Sequence, residues 1–443
     1  MVIRSAFALL ALTALSSAQQ ETNWKALGQE AYLFAYPLVL MDVTRQAAVD
    51  APGFESNGFT HARAFPDDKF RQVVRPNADT LYSSVWLDLS KEPMLMRVPD
   101  TAGRYYLMQL MDAWTETISV PGKRTTGTGE GWFAITGPGW TGKLPANAKR
   151  IDCPTNMAWI IGRTQTNSAT DYGNVHAIQA GYRIMPLSRY PDGVAKSARH
   201  DVANPERHKA PPPIVVANMS TAEFFQRFTQ LLKSNPPHTG NEPMMAKIAK
   251  ALDAISNPEF EAGVQQSKQL LATAETRRGA AATLGPTGWT KGSPFVGRYG
   301  TNYLARAFVA RVGLGANPPE DAVYLNCNLD SKGATLDGAH RYKIHFDKSQ
   351  LPPVNAFWSI TVYDLTGYFT PNPIGRYAIG DRDALKYNDD GSLDLFVQSS
   401  APEDSRNWLP SPKDPFNLSL RLYWPRAEIL NGSWVPPAVA VVP

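Results

Sequence analysis

The first strong pattern along the chain is helical. Apolar side chains recur at three- and four-residue steps in WKALGQEAYLFAYPLVLMDVTR, from Trp24 to Arg45, and this spacing predicts an amphipathic helix. Pro37 falls inside the segment and should kink it. Residues 49–68 are rich in Pro, Gly and Asn, so we expect a loop after the helix.

Short strand-like runs replace the helical pattern over residues 73–185. The segments LYSSVWLDL, RYYLMQLMDA, GWFAITGP, AWIIGRTQT and AGYRIMPLS are separated by Gly, Pro, Asn and Asp, which typically punctuate strands. We therefore predict a β-rich N-terminal domain over residues 19–187, with the helix at its front. Residues 188–218 are polar and contain three consecutive prolines, so they are predicted to form a linker.

The second half of the chain repeats the change from helices to strands. Residues 219–315 show helical spacing, and strand patterns return over residues 316–443 in AFWSITVYD, SLDLFVQSS and FNLSLRLYW. AVYLNCNLD and HRYKIHFD flank the turn-rich SKGATLDGA, which predicts a hairpin. We expect a jelly-roll-like C-terminal β domain, and an α+β fold overall that is mostly β.

The composition shows few charged residues and many aromatic ones. Of 443 residues, 43% are hydrophobic and only 19% are charged, with a formal net charge of +4. Such weak, scattered charge indicates neither nucleic acid nor an acidic membrane surface as a partner. The 11 Trp, 17 Tyr and 18 Phe suit short strands and a site lined by aromatic side chains.

The first eighteen residues have the composition of a secretory signal. Arg4 supplies a basic start, residues 6–15 are apolar but too short to span a bilayer, and Ser16 and Ala18 fit a cleavage site. A buried N-terminal helix is the alternative. We predict cleavage after Ala18 and a secreted or periplasmic protein without a membrane span.

Two features follow from an exported location. Cys153 and Cys327 fall in different predicted domains, so we expect two buried thiols and no disulfide. Asn218, Asn417 and Asn431 each begin a glycosylation triplet, which matters only in a eukaryotic glycoprotein.

Several standard chemistries lack their motifs. None of the seven histidines forms a helical metal-binding pair, and no G-x-S-x-G nucleophile motif is present. The Gly-rich TTGTGEGW lacks the lysine and following helix of a phosphate loop, so we expect a turn there. The sequence therefore predicts neither a metal nor a cofactor.

One candidate cluster lies at the start of a predicted strand, in VVRPNADTLYSSVWLDL. Arg75 precedes a proline and is expected to be extended, and Asn77 and Asp79 favour a turn bonded to its own backbone. Two interpretations stay open. The cluster is a structural turn, or Arg75 and Asp79 form an ion pair near Tyr82 that binds a carboxylate or orients an acid.

A second candidate cluster is aromatic and lies in the C-terminal domain. Such rings are usually core, but with polar neighbours they also suit a pocket for a small organic ligand or a sugar. Its members are Phe357, Trp358, Tyr363, Tyr368, Phe369, Arg376, Tyr377, Asn407 and Trp408.

Several long segments resemble known domains. AYLFAYPLVLMDVTR, RPNADTLYSSVWLDLS and GRYYLMQLMDAWT resemble the domain of unknown function 1254. YLARAFVARVGLGANPPEDAVY, LDGAHRYKIHF, PPVNAFWSITVYD, RYAIGDRD, DGSLDLFVQ, NWLPSP and LRLYWP resemble the domain of unknown function 1214. The resemblance implies a β-rich first domain, a helical connection and a jelly-roll-like second domain, often exported and oligomeric. It implies no particular reaction.

Three functional hypotheses follow from the residues. In the first, the protein is a cofactor-independent hydrolase or lyase for a small polar or sugar-like substrate, with Asp79, Tyr82 and Arg75 as catalytic residues. In the second, it binds a ligand or glycan without converting it. In the third, the turn only locks the structure together. The expected substrate-binding residues are Asn77, Trp358, Tyr363, Arg376, Tyr377, Asn407 and Trp408.

Overall fold

The computed structural model describes residues 22–49, 56–71, 73–191, 199–200, 210–274, 282–292 and 294–442. Within these ranges helices account for 29% and strands for 28%, with the strands in four sheets, which confirms the predicted α+β class. The predicted signal peptide, residues 1–18, lies outside the described residues. None of the described helices combines the length and the apolar character needed to cross a membrane.

The helices gather mainly before and between the two β regions. They are α1 (Trp24–Val49), α2 (Lys123–Thr126), α3 (Tyr172–Gly181), α4 (Pro212–Asn218), α5 (Thr221–Leu232), α6 (Glu242–Asp253), α7 (Pro258–Ala272), α8 (Tyr303–Gly313) and α9 (Ala427–Leu430). The predicted leading helix therefore begins at Trp24 and continues past Pro37 to Val49. The end of the predicted linker is itself helical, because a proline in the first turn is compatible with a helix.

Helix α1 is the centre of the helical region. It contacts α4, α5, α6, α7 and α8, and it buries Phe34 and Leu38 completely or nearly so. Its Tyr32 ring stacks on Phe224 of α5 with 4.4 Å between the ring centroids. The apolar stripe visible in the sequence is therefore covered by helices from the middle of the chain.

The N-terminal β region contains two of the sheets. Its strands are β1 (Thr60–His61), β2 (Thr80–Asp88), β3 (Met94–Val98), β4 (Tyr106–Asp112), β5 (Thr117–Ser119), β6 (Gly131–Thr136), β7 (Ala148–Asp152), β8 (Met157–Gln165), β9 (Arg183–Pro186) and β10 (Arg199–His200). The N-terminal six-stranded sheet has the order β10-β1-β2-β8-β4-β5, and the smaller sheet has the order β7-β6-β3-β9. Val85, Met96, Tyr106, Phe133 and Ile160 belong to the apolar core that the two sheets share.

The C-terminal β region is a two-sheet sandwich. Its strands are β11 (Ala282–Thr283), β12 (Trp289–Lys291), β13 (Ala322–Cys327), β14 (Arg341–Phe346), β15 (Val354–Asp364), β16 (Ala378–Gly380), β17 (Leu393–Gln398), β18 (Trp408–Pro410), β19 (Phe416–Pro425) and β20 (Ala440–Val442). The C-terminal six-stranded sheet has the order β11-β12-β13-β19-β15-β16, and a four-stranded sheet has the order β18-β17-β14-β20. Leucines and isoleucines from both sheets fill the space between them.

The predicted hairpin between β13 and β14 does not form. β13 pairs with β12 and β19, whereas β14 pairs with β17 and β20 in the other sheet. The turn-rich segment between them therefore connects the two layers of the sandwich. The hairpin prediction was wrong because local turn chemistry does not say which strand becomes the hydrogen-bonded neighbour.

Strand β19 shows that the C-terminal six-stranded sheet is covered on both faces. Leu418, Leu420 and Leu422 point into the sandwich core, while Arg421 and Tyr423 lie on the opposite face and are also buried. The second face packs on the N-terminal six-stranded sheet. Rings from both domains meet there, since the Tyr105 and Phe357 centroids lie 5.6 Å apart.

Candidate functional site

The turn that contains Asn77 is built as the sequence predicts. The Asn77 Oδ1 accepts hydrogen bonds from the backbone N–H of Asp79 at 2.6 Å and of Thr80 at 3.0 Å, so the side chain closes the turn. Arg75 is not extended, however. Its φ is 54°, in the left-handed region, and its N–H donates to the Gly367 carbonyl at 2.7 Å. This contact with the C-terminal domain explains why local preference does not decide the conformation.

Asp79 is fully buried, and both of its carboxylate oxygens are occupied. Oδ1 forms an ion pair with Arg382, while Oδ2 accepts hydrogen bonds from the Ser359 hydroxyl at 2.8 Å and the Tyr423 hydroxyl at 3.3 Å. All three partners belong to the C-terminal domain. Asp79 therefore joins the two domains, and its carboxylate is already engaged by protein groups.

Arg75 and Asp79 do not pair with each other. Arg75 Nη1 donates to the Asn326 Oδ1 at 3.0 Å, and its guanidinium lies 5.5 Å from the Tyr363 ring centroid. The Asn77 side chain also crosses the interface, where its Nδ2 donates to the Tyr423 hydroxyl at 2.8 Å. The predicted cluster is therefore an interdomain contact in which Arg75 reaches Asn326, while Asn77 and Asp79 share the Tyr423 hydroxyl.

Two cross-strand Tyr–Arg pairs lie next to this turn, one in each six-stranded sheet. Tyr82 on β2 is in register with Arg163 on β8, and the guanidinium lies 5.0 Å from the Tyr82 ring centroid. Tyr324 on β13 is in register with Arg421 on β19. Asn317 links the pairs, because its Oδ1 accepts from Arg163 Nη1 at 2.6 Å and its Nδ2 donates to the Tyr324 hydroxyl at 3.0 Å. We call these two pairs the interdomain site.

The two guanidiniums of the interdomain site are buried among neutral partners. Arg163 donates to the Gln109 Oε1 at 3.1 Å and the Gly315 carbonyl at 2.7 Å, as well as to Asn317. Arg421 donates to the Thr361 hydroxyl and the Tyr363 hydroxyl, each at 2.6 Å, and to the carbonyls of residues 75 and 76. Within the described part of the chain, neither guanidinium forms an ion pair, and neither Nε has a hydrogen-bond partner.

Solvent reaches this otherwise buried region at the tyrosines. Tyr82 and Tyr324 are each partly exposed, whereas Arg163 and Arg421 are each only 4% exposed. Burial raises the pKa of the Tyr324 hydroxyl, and the Arg163 guanidinium opposes that rise. Burial and the nearby Asp79 carboxylate also hold the pKa of Tyr423 well above its usual value. Both phenols are therefore protonated donors at neutral pH.

Apart from Tyr363, the remaining predicted ligand-binding residues are not brought together with these side chains. Trp358 points into the core of the sandwich, and the Trp408 Nε1 donates to the Gln398 carbonyl at 2.9 Å. The Asn407 side chain bonds backbone groups of residues 386 and 394, which holds a loop against β17. These residues support the C-terminal domain because their side chains are already engaged within it.

Arg376 and Tyr377 also have structural contacts. Arg376 Nη1 donates to the carbonyls of residues 405, 406 and 408, and the Tyr377 hydroxyl donates to the Asp68 carboxylate at 3.4 Å. Tyr363, by contrast, lies at the interface, where its hydroxyl donates to the carbonyl of residue 76 at 2.6 Å. Among the members of the aromatic cluster that were expected to bind substrate, Tyr363 is thus the one that contacts the turn.

Several residues of this region were not predicted from the sequence, among them Arg163, Tyr324, Arg421 and Tyr423. A usable signal was present in AWIIGRTQT and FNLSLRLYW, since each segment places an arginine inside a run otherwise typical of a buried strand. A charged residue at such a position needs buried partners. That signal identifies the arginines, but it does not reveal that they come from facing sheets.

Other candidate chemistries are not supported among the described residues. No group of His, Cys, Asp and Glu side chains there could hold a metal ion. Cys153 and Cys327 are both buried and unpaired, as predicted, and burial raises the pKa of each thiol to about 12. Asn417 is buried and donates to the Asp364 carbonyl at 2.9 Å, so this glycosylation triplet is not accessible in the folded protein.

Comparisons with known proteins agree with the two-domain division. A family model described as "Protein of unknown function (DUF1254)" matches residues 56–186. A second, described as "Protein of unknown function (DUF1214)", matches residues 321–427. A search of curated proteins found no match. Both matched domains contribute to the interdomain site, since Tyr82 and Arg163 lie in the first and Tyr324 and Arg421 in the second.

Two solved structures are similar to this chain. The VPA0106 protein from Vibrio parahaemolyticus is 22% identical with a TM-score of 0.64, and the match covers 95% of this chain and 100% of that one. An uncharacterised protein from Burkholderia cenocepacia is 12% identical with a TM-score of 0.47, covering 95% and 94% of the two chains. The first similarity shows that both domains and the helical region form a fold seen in a solved structure.

Proposed function

We propose that this protein binds a small polar ligand at the interdomain site. The chain belongs to the proteins that combine domain of unknown function 1254 with domain of unknown function 1214. The observation that supports this proposal is the pair of facing Tyr–Arg pairs, whose tyrosines stay partly exposed although the surrounding strands are buried. Ligand sites commonly occupy domain interfaces and combine aromatic rings with a few placed polar groups.

The predicted turn has a supporting role in this proposal. Because Asp79, Asn77 and Arg75 each bond to C-terminal residues, they set the separation of the two six-stranded sheets. Asp79 is then a positioning residue, since its carboxylate oxygens already have protein partners. The ligand would contact Tyr82 and Tyr324.

A thermal-shift screen of small polar metabolites on the full mature chain tests the binding proposal. At least one compound should raise the melting temperature, and the double variant Tyr82→Phe/Tyr324→Phe should lose most of that shift. Tyr190→Phe is the matched control, because among the described residues its hydroxyl donates to Asn147 at the surface. The proposal fails if no compound binds, or if the double variant binds as well as the wild type.

Conversion of the ligand is the second candidate function, as a hydrolase or lyase without a cofactor. The specific observation in its favour is that the Tyr82 phenol lies beside the Arg163 guanidinium, which would stabilise a phenolate during proton transfer. Proton NMR of each bound compound would detect a product. If the wild type converts a compound, and the Tyr82→Phe variant binds that compound without converting it, the protein is an enzyme. If the bound compounds stay unchanged, the result supports binding alone.

Export and self-association are parts of the same proposal. Cleavage after Ala18 would leave Gln19 as the first residue of a secreted or periplasmic protein. N-terminal sequencing of the protein recovered outside the cytoplasm tests this, and an intact Met1 there would contradict it. The family resemblance suggests a homo-oligomer, which light scattering of the same sample would measure.

A further inference from the structure

We infer that the ligand of the interdomain site is an organic anion whose carboxylate is held between Arg163 and Arg421. This inference rests on the proposed function and specifies the class of ligand. Burying a guanidinium without a counter-charge is costly, and arginine is the side chain best suited to hold a carboxylate through two parallel hydrogen bonds. Charge, hydrogen bonding and solvent access each support this assignment.

The charge balance of the region is positive. Among the described residues, Arg163 donates to neutral partners, which are two side-chain amides and a carbonyl. Asp321 is close enough to act on Arg163 electrostatically, but that carboxylate is paired with Arg124. Asp79 is close enough to influence Arg421 electrostatically, but that carboxylate is already paired with Arg382. Within the described part of the chain, neither Arg163 nor Arg421 therefore has a carboxylate of its own, because the two carboxylates that act on them are already paired with Arg124 and Arg382. A bound anion would supply the missing negative charge.

The hydrogen-bonding groups that remain are donors. The Nε groups of Arg163 and Arg421 are buried without a partner among the described residues. The Tyr324 hydroxyl accepts from Asn317 and stays protonated, so its own hydrogen can be donated. The Asn326 Oδ1 accepts from Arg75, which leaves its Nδ2 as a donor on the same face of β13. Such a set of donors matches a ligand rich in acceptor oxygens.

Access is provided by the same side chains. Tyr82, Tyr324 and Asn326 are all partly exposed, so the region around the buried guanidiniums is open to solvent at these three side chains. Since Asn317 connects Arg163 to Tyr324, the two Tyr–Arg pairs are held at a fixed separation before a ligand arrives. A site fixed in this way loses little entropy when it binds.

The test uses pairs of probes that differ only in charge. Carboxylates of two to six carbons, including malate and glucuronate, are each compared with a neutral alcohol of similar size, such as glucose for glucuronate. Affinities for the full wild-type chain are measured by calorimetry. At least one carboxylate should bind more tightly than its neutral counterpart, because only the charged group compensates the guanidiniums.

Variants then locate the binding. Arg163→Gln and Arg421→Gln should each lower the affinity for the tightest-binding carboxylate by about 30-fold or more. Arg306→Gln is the matched control, because Arg306, on α8, is also buried but pairs with Glu116. It should leave the affinity unchanged.

The outcomes separate this inference from the proposed function. If neutral compounds bind with equal or greater affinity, the inference that the ligand is an anion is wrong, and the proposed binding function still stands. Carboxylate binding that survives in both arginine variants also overturns it. If no compound of either series binds, the proposed function fails and the inference fails with it. The comparison of charged and neutral probes needs only the wild type, so it stands even where a variant does not fold.

Discussion

Asp79 has a structural environment that its position in the sequence only partly indicates. Its neighbours in the chain suggest a turn, but its partners Arg382, Ser359 and Tyr423 lie about three hundred residues away. A buried carboxylate with this many bonds contributes mostly by avoiding the penalty of leaving its partners unpaired. Its replacement therefore tests how firmly the domains are joined.

Asp79→Asn should lower the free energy of unfolding by about 3 kcal/mol, because it leaves the Arg382 guanidinium buried without its counter-charge. Urea denaturation followed by circular dichroism measures the change. Glu130→Gln is the control, since its ion pair with Arg97 is at the surface and should contribute less than about 1 kcal/mol. Equal effects of the two substitutions would contradict a special role for Asp79.

His345 gives a second prediction at the same scale. Its ring bonds to Asp394 on the neighbouring strand, with Asp347 and Lys343 close by, and the Asp394 hydrogen bond raises the pKa of His345 above 6.5. Protonated His345 thus stabilises the fold fully below pH 6.5, and the stabilisation is lost as pH rises through the raised pKa.

The wild type should therefore be more stable than His345→Gln at pH 5.5, with a smaller difference at pH 8.5. The side chain is 42% exposed, so the difference should not exceed about 1 kcal/mol. Melting temperatures of both proteins across this pH range provide the measurement. A difference that grows as pH rises would show that the neutral ring is the stabilising form.

At the scale of elements, two glycines set the distance between α1 and α7. A Cβ on Gly28 would lie 2.2 Å from the carbonyl oxygen of residue 260, and one on Gly263 would lie 2.0 Å from the carbonyl oxygen of Lys25. Each helix therefore presents a glycine to the backbone of the other. The long leading helix can bury its apolar side chains only at this short separation.

Gly263→Ala should push the two helices apart and lower the free energy of unfolding by about 2 kcal/mol or more, despite the better helix propensity of alanine. Gly173→Ala in α3 is the matched control, because no atom lies within 4 Å of the added Cβ. The control should gain about 0.5 kcal/mol. Thermal unfolding compares both, and a gain in stability for Gly263→Ala would refute the close packing.

At the scale of the whole molecule, the contact between the six-stranded sheets makes the two β regions depend on each other. Apolar rings such as Tyr105, Phe357 and Tyr423 meet beside the polar network of the turn. The Arg124 guanidinium adds a two-point ion pair to Asp321. We expect the described parts of both domains to unfold together.

Asn77→Ala should reveal this dependence, because it removes two turn hydrogen bonds and the bond to Tyr423. We expect amide hydrogen exchange to become faster in both β2 and β15. In each strand the free energy of opening should fall by a similar amount, about 2 kcal/mol. Mass spectrometry of peptides from each strand measures it. Asn147→Ala, at the surface, should change neither strand. Faster exchange in β2 alone would mean that the domains unfold separately.

Much of the fold could be predicted because short-range patterns carry it. LYSSVWLDL corresponds to β2, which spans Thr80–Asp88, and FNLSLRLYW corresponds to β19, which spans Phe416–Pro425. The pairing of strands was less predictable. The hairpin of β13 and β14 was expected from the turn between them, but β13 pairs with β19 and β14 pairs with β17, in different sheets of the sandwich.

The candidate site was predictable only in part, for the same reason. The turn at Asn77 uses its own backbone, so its chemistry is local and visible in the sequence. Arg75 was expected to be extended, yet a carbonyl from Gly367 holds it in the left-handed region. Trp358 was expected beside Tyr363, although the five-residue spacing places them on opposite faces of one strand.

The sequence by itself determined the elements of this protein, its two-domain family and the local geometry of the turn, because each depends on residues a few positions apart. The tertiary structure alone decided that Asp79 faces Arg382 and that Asn317 links Arg163 of one sheet to Tyr324 of the other. Those contacts join residues far apart in the chain. No local periodicity encodes them, since they depend on which faces two separately formed sheets turn toward each other.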